Sequence, residues 1–239
     1  MTRIYLAYNH GRRETLTSCG LTEKVNILVA LNQWEQFEKI RDQIPIDKLC
    51  LDSGAFAAMN SGFEVTYESW FEIANSKQHD EIFALDVIGD AEASFANFER
   101  SLEDELYAIP TFHISSDLDH LKRMCKDKRV EKIALGGMVR HTTATQRREW
   151  LKWCFNIAWP RKIHAFGVTD EKTLSMFPFH SCDSSTWSLG PAAFGNYRSF
   201  GGKIPARKMR DFRCEVFHYL KLQRKLEGLW STEMKQFNE

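Results

Sequence analysis

The chain reads as an α/β protein: a (β/α)8 TIM barrel followed by a C-terminal basic loop and helix. Three observations predict this. Short apolar runs recur at regular spacing along most of the 239 residues. Stretches of helical period separate them. Three of the runs close on an aspartate, in Leu51-Asp52-Ser53-Gly54, Ala84-Leu85-Asp86-Val87 and Ser181-Cys182-Asp183-Ser184, and a fourth closes on Leu135-Gly136-Gly137. In a barrel of parallel strands all C-terminal strand ends meet on one face, and that face carries the active site. Three carboxylates and a glycine pair would then share one pocket.

Strands are expected near residues 3–8, 26–31, 48–52, 82–86, 108–113, 132–136, 162–166 and 179–183. They are rich in Ile, Leu, Val, Phe and Ala, as strands covered on both faces are. The intervening segments carry helical faces: Trp70, Phe71 and Ala74 in 67–79; Phe95, Phe98, Leu102 and Leu106 in 91–106. Leu118, Leu121 and Met124 do the same in 117–128, and Trp150, Leu151, Cys154 and Ala158 in 142–158. Residues 9–25 are polar with little helical pattern, and 170–177 leave room for only a very short helix. Alternation of this kind fits a closed barrel better than an open sheet, so residues 1–187 read as the catalytic barrel. Residues 188–239 read as a C-terminal loop and basic helix packed on it. The loop spans 188–204, rich in Gly and Pro. The helix spans 206–227, with Phe212, Val216, Tyr219, Leu220 and Leu226 as its apolar positions. Nine basic residues lie between 198 and 225, Arg198, Lys203, Arg207, Lys208 and Arg210 among them, against Asp211 and Glu215, a local charge of +7.

Composition excludes several classes. Hydrophobic residues make up 43%, too many for a disordered chain. No apolar run approaches the roughly 18 residues of a membrane helix, and the N-terminus enters a strand without a signal-peptide layout, so a cytoplasmic protein with no membrane partner is expected. The six cysteines are scattered with no C-x-x-C, the pattern of reduced thiols and not of a disulfide framework. Net charge is zero, so a nucleic-acid partner would have to be held by a local patch such as the +7 segment.

Together these motifs resemble the tRNA-guanine transglycosylase superfamily, and within it the DNA-acting branch, the 7-cyano-7-deazaguanine DNA transglycosylases. The resemblance rests on Leu51-Asp52-Ser53-Gly54-Ala55-Phe56, Phe83-Ala84-Leu85-Asp86, Ile133-Ala134-Leu135-Gly136-Gly137, His164-Ala165-Phe166-Gly167-Val168 and Cys182-Asp183-Ser184, in that order and at strand ends across residues 48–187. It implies a barrel that exchanges guanine in a polynucleotide for a 7-deazaguanine without breaking the backbone. It assigns Asp183 as the nucleophile on the sugar C1′ and Asp52 as the residue that handles the base proton. Phe56 would stack on the base, Asp86 would grip its pyrimidine edge, and Ser53, Gly54, Gly136 and Gly137 would line the base site. The partners implied are DNA, or tRNA, and the free base, with a helper protein or a second copy of the chain as a further partner. No cofactor is implied. The tRNA enzymes carry a C-x-C-x-x-C and a histidine for structural zinc after the nucleophile; here only Cys214 lies downstream, so no metal is expected. That difference, and the lack of an RNA-binding domain after the barrel, favour DNA over tRNA.

The residue types suit such chemistry. Loss of a base from C1′ builds oxocarbenium-like charge, which a carboxylate can stabilise and then trap as a covalent intermediate. The base leaves with a proton, best supplied by a carboxyl of raised pKa. Guanine offers N1–H and N2–H donors on one edge, matched by a third carboxylate. A base in a duplex must be flipped out to reach the pocket, and stacking on an aromatic offsets part of that cost, roughly 1–3 kcal/mol per base. Blander readings stand beside these. A strand-end Asp is often a helix cap, and Asp52 before Ser53-Gly54 is also ordinary turn chemistry. His113, at the end of Ile109-Pro110-Thr111-Phe112-His113, either meets substrate at the mouth or is a core histidine. Trp187 is either core or a stacking surface. Arg140 and His141 either meet a phosphate or belong to a solvated loop. His164 reads as structural. Two other functions compete: a catalytically silent nucleic-acid-binding subunit, and an unrelated barrel enzyme, whose phosphate site Phe166-Gly167-Val168-Thr169 matches only faintly.

Overall fold

Eight parallel strands form one sheet in the order β4-β3-β2-β1-β8-β7-β6-β5. They are β1 Arg3–Ala7, β2 Val25–Ala30, β3 Ile46–Asp52, β4 Glu81–Ile82, β5 Thr111–His113, β6 Lys132–Gly136, β7 Lys162–Ala165 and β8 Ser181–Ser184. The structure is a computed structural model; it describes residues 2–17, 21–62, 64–138, 143–189, 196–199, 202–205 and 212–237. The two ends of the sheet meet through a parallel bridge between Phe83 and Ile109. There the Ala84 N–H donates to the Ile109 carbonyl at 2.9 Å and the Ile109 N–H to the Ile82 carbonyl at 2.8 Å. That contact closes the sheet into a TIM barrel.

Side-chain alternation divides the apolar residues into two clusters. Ile4, Leu6, Leu49, Leu51, Ile133 and Leu135 face the surrounding helices, while Tyr5, Cys50, Phe83, Ile109 and Ala134 pack inside the barrel. Because strand side chains alternate, a one-residue slip would exchange these sets, so register is tightly specified. The residues that follow Cys50 and Ala134 at the same parity are Asp52 and Gly136, which carries the inward face up to the mouth.

The outer layer comprises α1 Arg13–Thr17, α2 Trp34–Glu38, α3 Ala55–Ser61, α4 Tyr67–Ala74, α5 Ala91–Glu103, α6 Leu118–Lys126, α7 Ala144–Ala158, α8 Glu171–Leu174 and α9 Arg213–Phe237. Thr66 and Thr143 start α4 and α7 with capping boxes, and Asp90, Asp117 and Asp170 cap α5, α6 and α8 through their carboxylates. These aspartates play the capping role, which the three strand-end aspartates do not.

Four expectations need correction. Residues 9–25 do contain a helix, the five-residue α1, which buries only Leu16 and so shows little apolar pattern. Strand β4 stops at Ile82, because Leu85–Val87 leaves the ladder for a turn tied down by Ser94, whose Oγ accepts the Val87 N–H at 2.8 Å. The 188–204 segment is not only loop: an antiparallel hairpin of β9 Asn196–Ser199 and β10 Gly202–Pro205 lies in it. The last helix runs on to Phe237 instead of ending at 227. Its buried spacing of Val216, Tyr219, Leu222, Leu226 and Trp230 continues past Gly228, and the Trp230 indole N–H donates to the Leu174 carbonyl at 3.2 Å, so packing carries the helix beyond the glycine.

Helix α9 lies against the outside of β1 and β2. The Gln223 Oε1 accepts the Ile4 N–H at 2.9 Å and the Asn26 amide at 3.0 Å. Arg224 pairs with Glu23 and Lys225 with Glu171, so these two cations of the basic segment meet the barrel's own carboxylates. Among the described residues, no helix is long and apolar enough to cross a membrane. The described cysteines Cys50, Cys125, Cys154, Cys182 and Cys214 are free.

Candidate active site

The three strand-end aspartates converge at the C-terminal mouth of the barrel, close enough that the charges of Asp86 and Asp183 act on Asp52. Their surroundings differ.

Asp52 ends β3. Burial is the largest influence on its carboxyl, reinforced by the negative charges of Asp86 and Asp183, and it raises the pKa to about 8 against the pull of the Gly54 and Ser53 N–H groups. At neutral pH it holds its proton. Next to it the chain turns sharply: Gly54 has φ +79° and is the N-cap of α3, a conformation suited to glycine. A Cβ there would also sit 3.1 Å from Leu31 Cβ. The turn aims Ser53 back across the mouth and sets Phe56 on the first turn of α3, where its ring is 48% exposed.

Asp86 sits in the turn after β4. Its Oδ1 accepts the Ser53 hydroxyl at 2.5 Å, and its Oδ2 lies 2.9 Å from His113 Nε2. Helix α5 holds this turn from behind: Asn97 donates to the Leu85 carbonyl at 3.0 Å, and Ser94 bonds the Val87 backbone and the Asp90 carbonyl. His113 is buried, with its Nε2 against the Asp86 carboxylate at the mouth. Gly136 explains how it fits. A Cβ at 136 would lie 2.7 Å from His113 Cδ2 and 3.1 Å from its Nε2, so the glycine makes room for the imidazole. Gly137 adopts φ +78°, the left-handed turn that ends β6.

Asp183, on β8, is buried at 7% exposure. Its Oδ1 accepts the Gly167 N–H at 3.1 Å, and Gly167 itself has φ +69°. The same Oδ1 lies 3.4 Å from Nε2 of His164. The His164 ring is fully buried, with centroids 4.6 Å from Phe83 and 4.7 Å from Phe166. These aromatic rings pack with Tyr5 inside the barrel. Beneath them the Tyr5 hydroxyl and the Lys132 ammonium both reach Glu81, at 3.1 and 2.7 Å, so the buried cation and hydroxyl are each paired.

Of the residues predicted for the site, Asp52, Ser53, Gly54, Asp86, His113, Gly136, Gly137 and Asp183 come together at the mouth, with Phe56 at its rim. Arg140, Arg207, Lys208 and Arg210, like His141, lie outside the described residues, as do the side chains of Arg198 and Lys203. Trp187 is core: it is fully buried and its indole N–H donates to the Ala7 carbonyl at 2.9 Å. Sequence reasoning missed Gly167 and Ser181 beside Asp183, and it set His164 aside. The hint was present in His164-Ala165-Phe166-Gly167, where the histidine shares the inward parity of the seventh strand. Among the described residues, no group of three or more His, Cys, Asp or Glu is placed to hold a metal ion.

No protein-family model matches the chain, and no curated protein matches it. Solved structures do match. One is CdNal from Clostridium difficile, crystallised in complex with mannosamine, aligned over 97% of this chain and 83% of that chain at 13% identity and a TM-score of 0.45. A likeness of that size carries no inference about activity; the strand order and its closure define the fold directly.

Proposed function

We propose that this chain is a transglycosylase that exchanges guanine in DNA for a 7-deazaguanine base such as 7-cyano-7-deazaguanine, through a covalent aspartyl-glycosyl intermediate. The observation that carries the reading is the division of labour among three converging carboxylates. Asp52 holds a proton at neutral pH, while Asp183 accepts the Gly167 N–H on Oδ1, which leaves its other oxygen to attack. An acid and a nucleophile in one pocket are what a two-step base exchange requires.

In the first step an oxygen of Asp183 bonds to C1′ as the C1′–N9 bond breaks. The electron pair leaves with guanine, and the Asp52 proton goes to the departing base. In the second step the incoming base loses its N9 proton to the Asp52 carboxylate, its nitrogen bonds to C1′, and the Asp183 oxygen leaves with its electron pair. Asp86 accepts the N1–H and N2–H donors of either base. A carboxylate offers about four lone-pair sites, so its bonds to Ser53 and His113 do not exhaust it. Phe56 supplies the stacking surface at the rim, and a flipped-out or single-stranded nucleotide supplies access.

The test is direct. The protein is incubated with labelled 7-cyano-7-deazaguanine and either DNA or tRNA, the polymer is digested, and the nucleosides are identified. Label in DNA supports the reading, and label in tRNA alone moves the same chemistry to the other polymer. Label in neither, with unlabelled guanine retained, overturns it.

A further inference from the structure

One polar atom in the barrel core is without a partner and aimed at the candidate nucleophile. His164 is fully buried, and its Nε2 makes no hydrogen bond. Its other ring nitrogen, Nδ1, is 2.9 Å from the Ser181 hydroxyl. Phe83 and Phe166 wall the ring, and Tyr5 meets it edge-on with centroids 6.3 Å apart. A buried ring nitrogen without an acceptor is costly. The acceptor it faces is Asp183 Oδ1, at 3.4 Å, a few tenths of an ångström beyond a good N–H···O bond. Catalytic hydrogen bonds of this kind are often long before substrate binds and tighten with it.

Resting on the transglycosylase reading, we propose that His164 is a positioning residue for Asp183, and that it determines which oxygen attacks. The Ser181 hydroxyl donates to Nδ1, which leaves the proton on Nε2, pointing at Oδ1. With the Gly167 N–H on the same atom, Oδ1 has two donors, and Oδ2 has none among the described residues. Oδ2 is therefore the oxygen that bonds to C1′. In the intermediate Oδ1 becomes the ester carbonyl. When the ester breaks, negative charge returns to the carboxylate, and the two N–H groups meet it without reorganisation. The imidazole has to stay neutral for this, since an imidazolium would pair with Asp183 and blunt it. Burial lowers the pKa of His164, opposing the pull of Asp183; Lys132 also disfavours its charge and Glu81 favours it.

Three variants and one spectroscopic measurement test the proposal. His164→Phe keeps a ring and removes the donor; His164→Gln keeps an amide N–H near the Nε2 position; Ser181→Ala removes the lock on the tautomer. In single-turnover assays on DNA, His164→Phe is expected to slow adduct formation about 10- to 100-fold, the effect of one lost charge-assisted hydrogen bond, with DNA and base affinities unchanged. His164→Gln should recover most of that rate, and Ser181→Ala should fall between. Equal rates in all three and the wild type, or equal losses in Phe and Gln that track a fallen melting temperature, would mean that the ring only packs. Nitrogen NMR of the wild-type protein gives a readout that needs no substrate. A proton on Nε2 of His164 is expected. A proton on Nδ1 overturns the proposal even if base exchange is confirmed, and the Nε2 tautomer sustains the positioning even if the polymer proves to be another.

Discussion

On the β7–β8 side of the mouth, Asp183 accepts the Gly167 N–H on Oδ1 at 3.1 Å, and the same oxygen lies 3.4 Å from His164 Nε2. On the β3–β5 side, Asp86 has both oxygens engaged, by Ser53 at 2.5 Å and His113 at 2.9 Å. Asp52 holds its proton chiefly because it is buried, reinforced by the charges of both. All three are aspartates at or just past the C-terminal ends of parallel strands, and all three belong to short sequence motifs of similar look. The difference teaches that the strand end delivers a carboxylate to the mouth, while neighbours from other strands decide its use. A carboxylate with one oxygen held and one open suits attack on carbon. One with both oxygens held suits recognition, and one kept protonated by burial suits proton transfer.

The largest expected effect sharpens the contrast between Asp183 and the other two. Asp183→Asn should abolish both base exchange and the covalent adduct, read by denaturing electrophoresis of protein and labelled DNA. An adduct that persists in Asp183→Asn and disappears in Asp52→Asn would reverse their roles.

Asp52→Asn should slow turnover by on the order of 10²–10⁴-fold, the usual effect of losing a general acid or base, while an adduct can still be trapped. The same variant tests the protonation state through stability. Asp52 binds its proton more tightly in the folded than in the unfolded chain, where an aspartate titrates near 3.9. Its contribution is complete below about pH 4 and is lost as pH rises through about 8. The variant should therefore gain on the wild type across that window, by on the order of a few kcal/mol at pH 9. An equal stability difference between variant and wild type at pH 4 and pH 9 would show that folding does not raise the affinity of Asp52 for its proton.

Gly136→Ala attacks the Asp86 side alone. The added methyl meets the His113 ring, where the Cβ separation would be only 2.7 Å. The imidazole must leave Asp86, at a cost of about 1–3 kcal/mol in stability, as for other overpacked sites. Binding of the free base should weaken roughly tenfold, the scale of one hydrogen-bonding partner displaced, while adduct chemistry at Asp183 is spared. Calorimetric titration with 7-cyano-7-deazaguanine measures the first effect and single-turnover adduct formation the second. Equal loss in both would dissolve the distinction between the two sides.

The smallest effect on chemistry is expected from the basic segment. Replacing Arg207, Lys208 and Arg210 with Glu should weaken DNA binding and flatten its salt dependence, since the slope falls by about 0.9 for each phosphate that is no longer neutralised. Turnover at saturating DNA should remain. Filter binding over a range of salt concentrations measures it, and an unchanged slope would assign the segment to a solvated surface.

Most of the framework was legible in the chain because barrel strands and helices carry local periodicity. Ile4 and Leu6 outward with Tyr5 inward, or Leu49 and Leu51 outward with Cys50 inward, are patterns of adjacent residues. Where the sequence misled, the cause was tertiary. Leu85–Val87 is apolar enough for a strand, yet Ser94 and Asn97 of α5 draw it into a turn. The sequence pattern ends the last helix at 227, yet the burial of Leu226 and Trp230 carries α9 past Gly228. The glycine pair at 136 and 137 read as backbone donors for a base; Gly136 also clears space for His113, on the neighbouring strand.

By itself, the sequence determined the barrel and the delivery of Asp52, Asp86, Asp183 and His113 to one mouth, since these follow from regularly spaced apolar runs and parallel strand ends. Only the tertiary structure decided what each carboxylate is. That Asp86 is clamped by Ser53 and His113, that Asp52 keeps its proton and that His164 faces Asp183 all depend on neighbours distant in sequence. Protonation and orientation are set by burial and by the partners within a few ångströms, and neither quantity exists until the barrel closes.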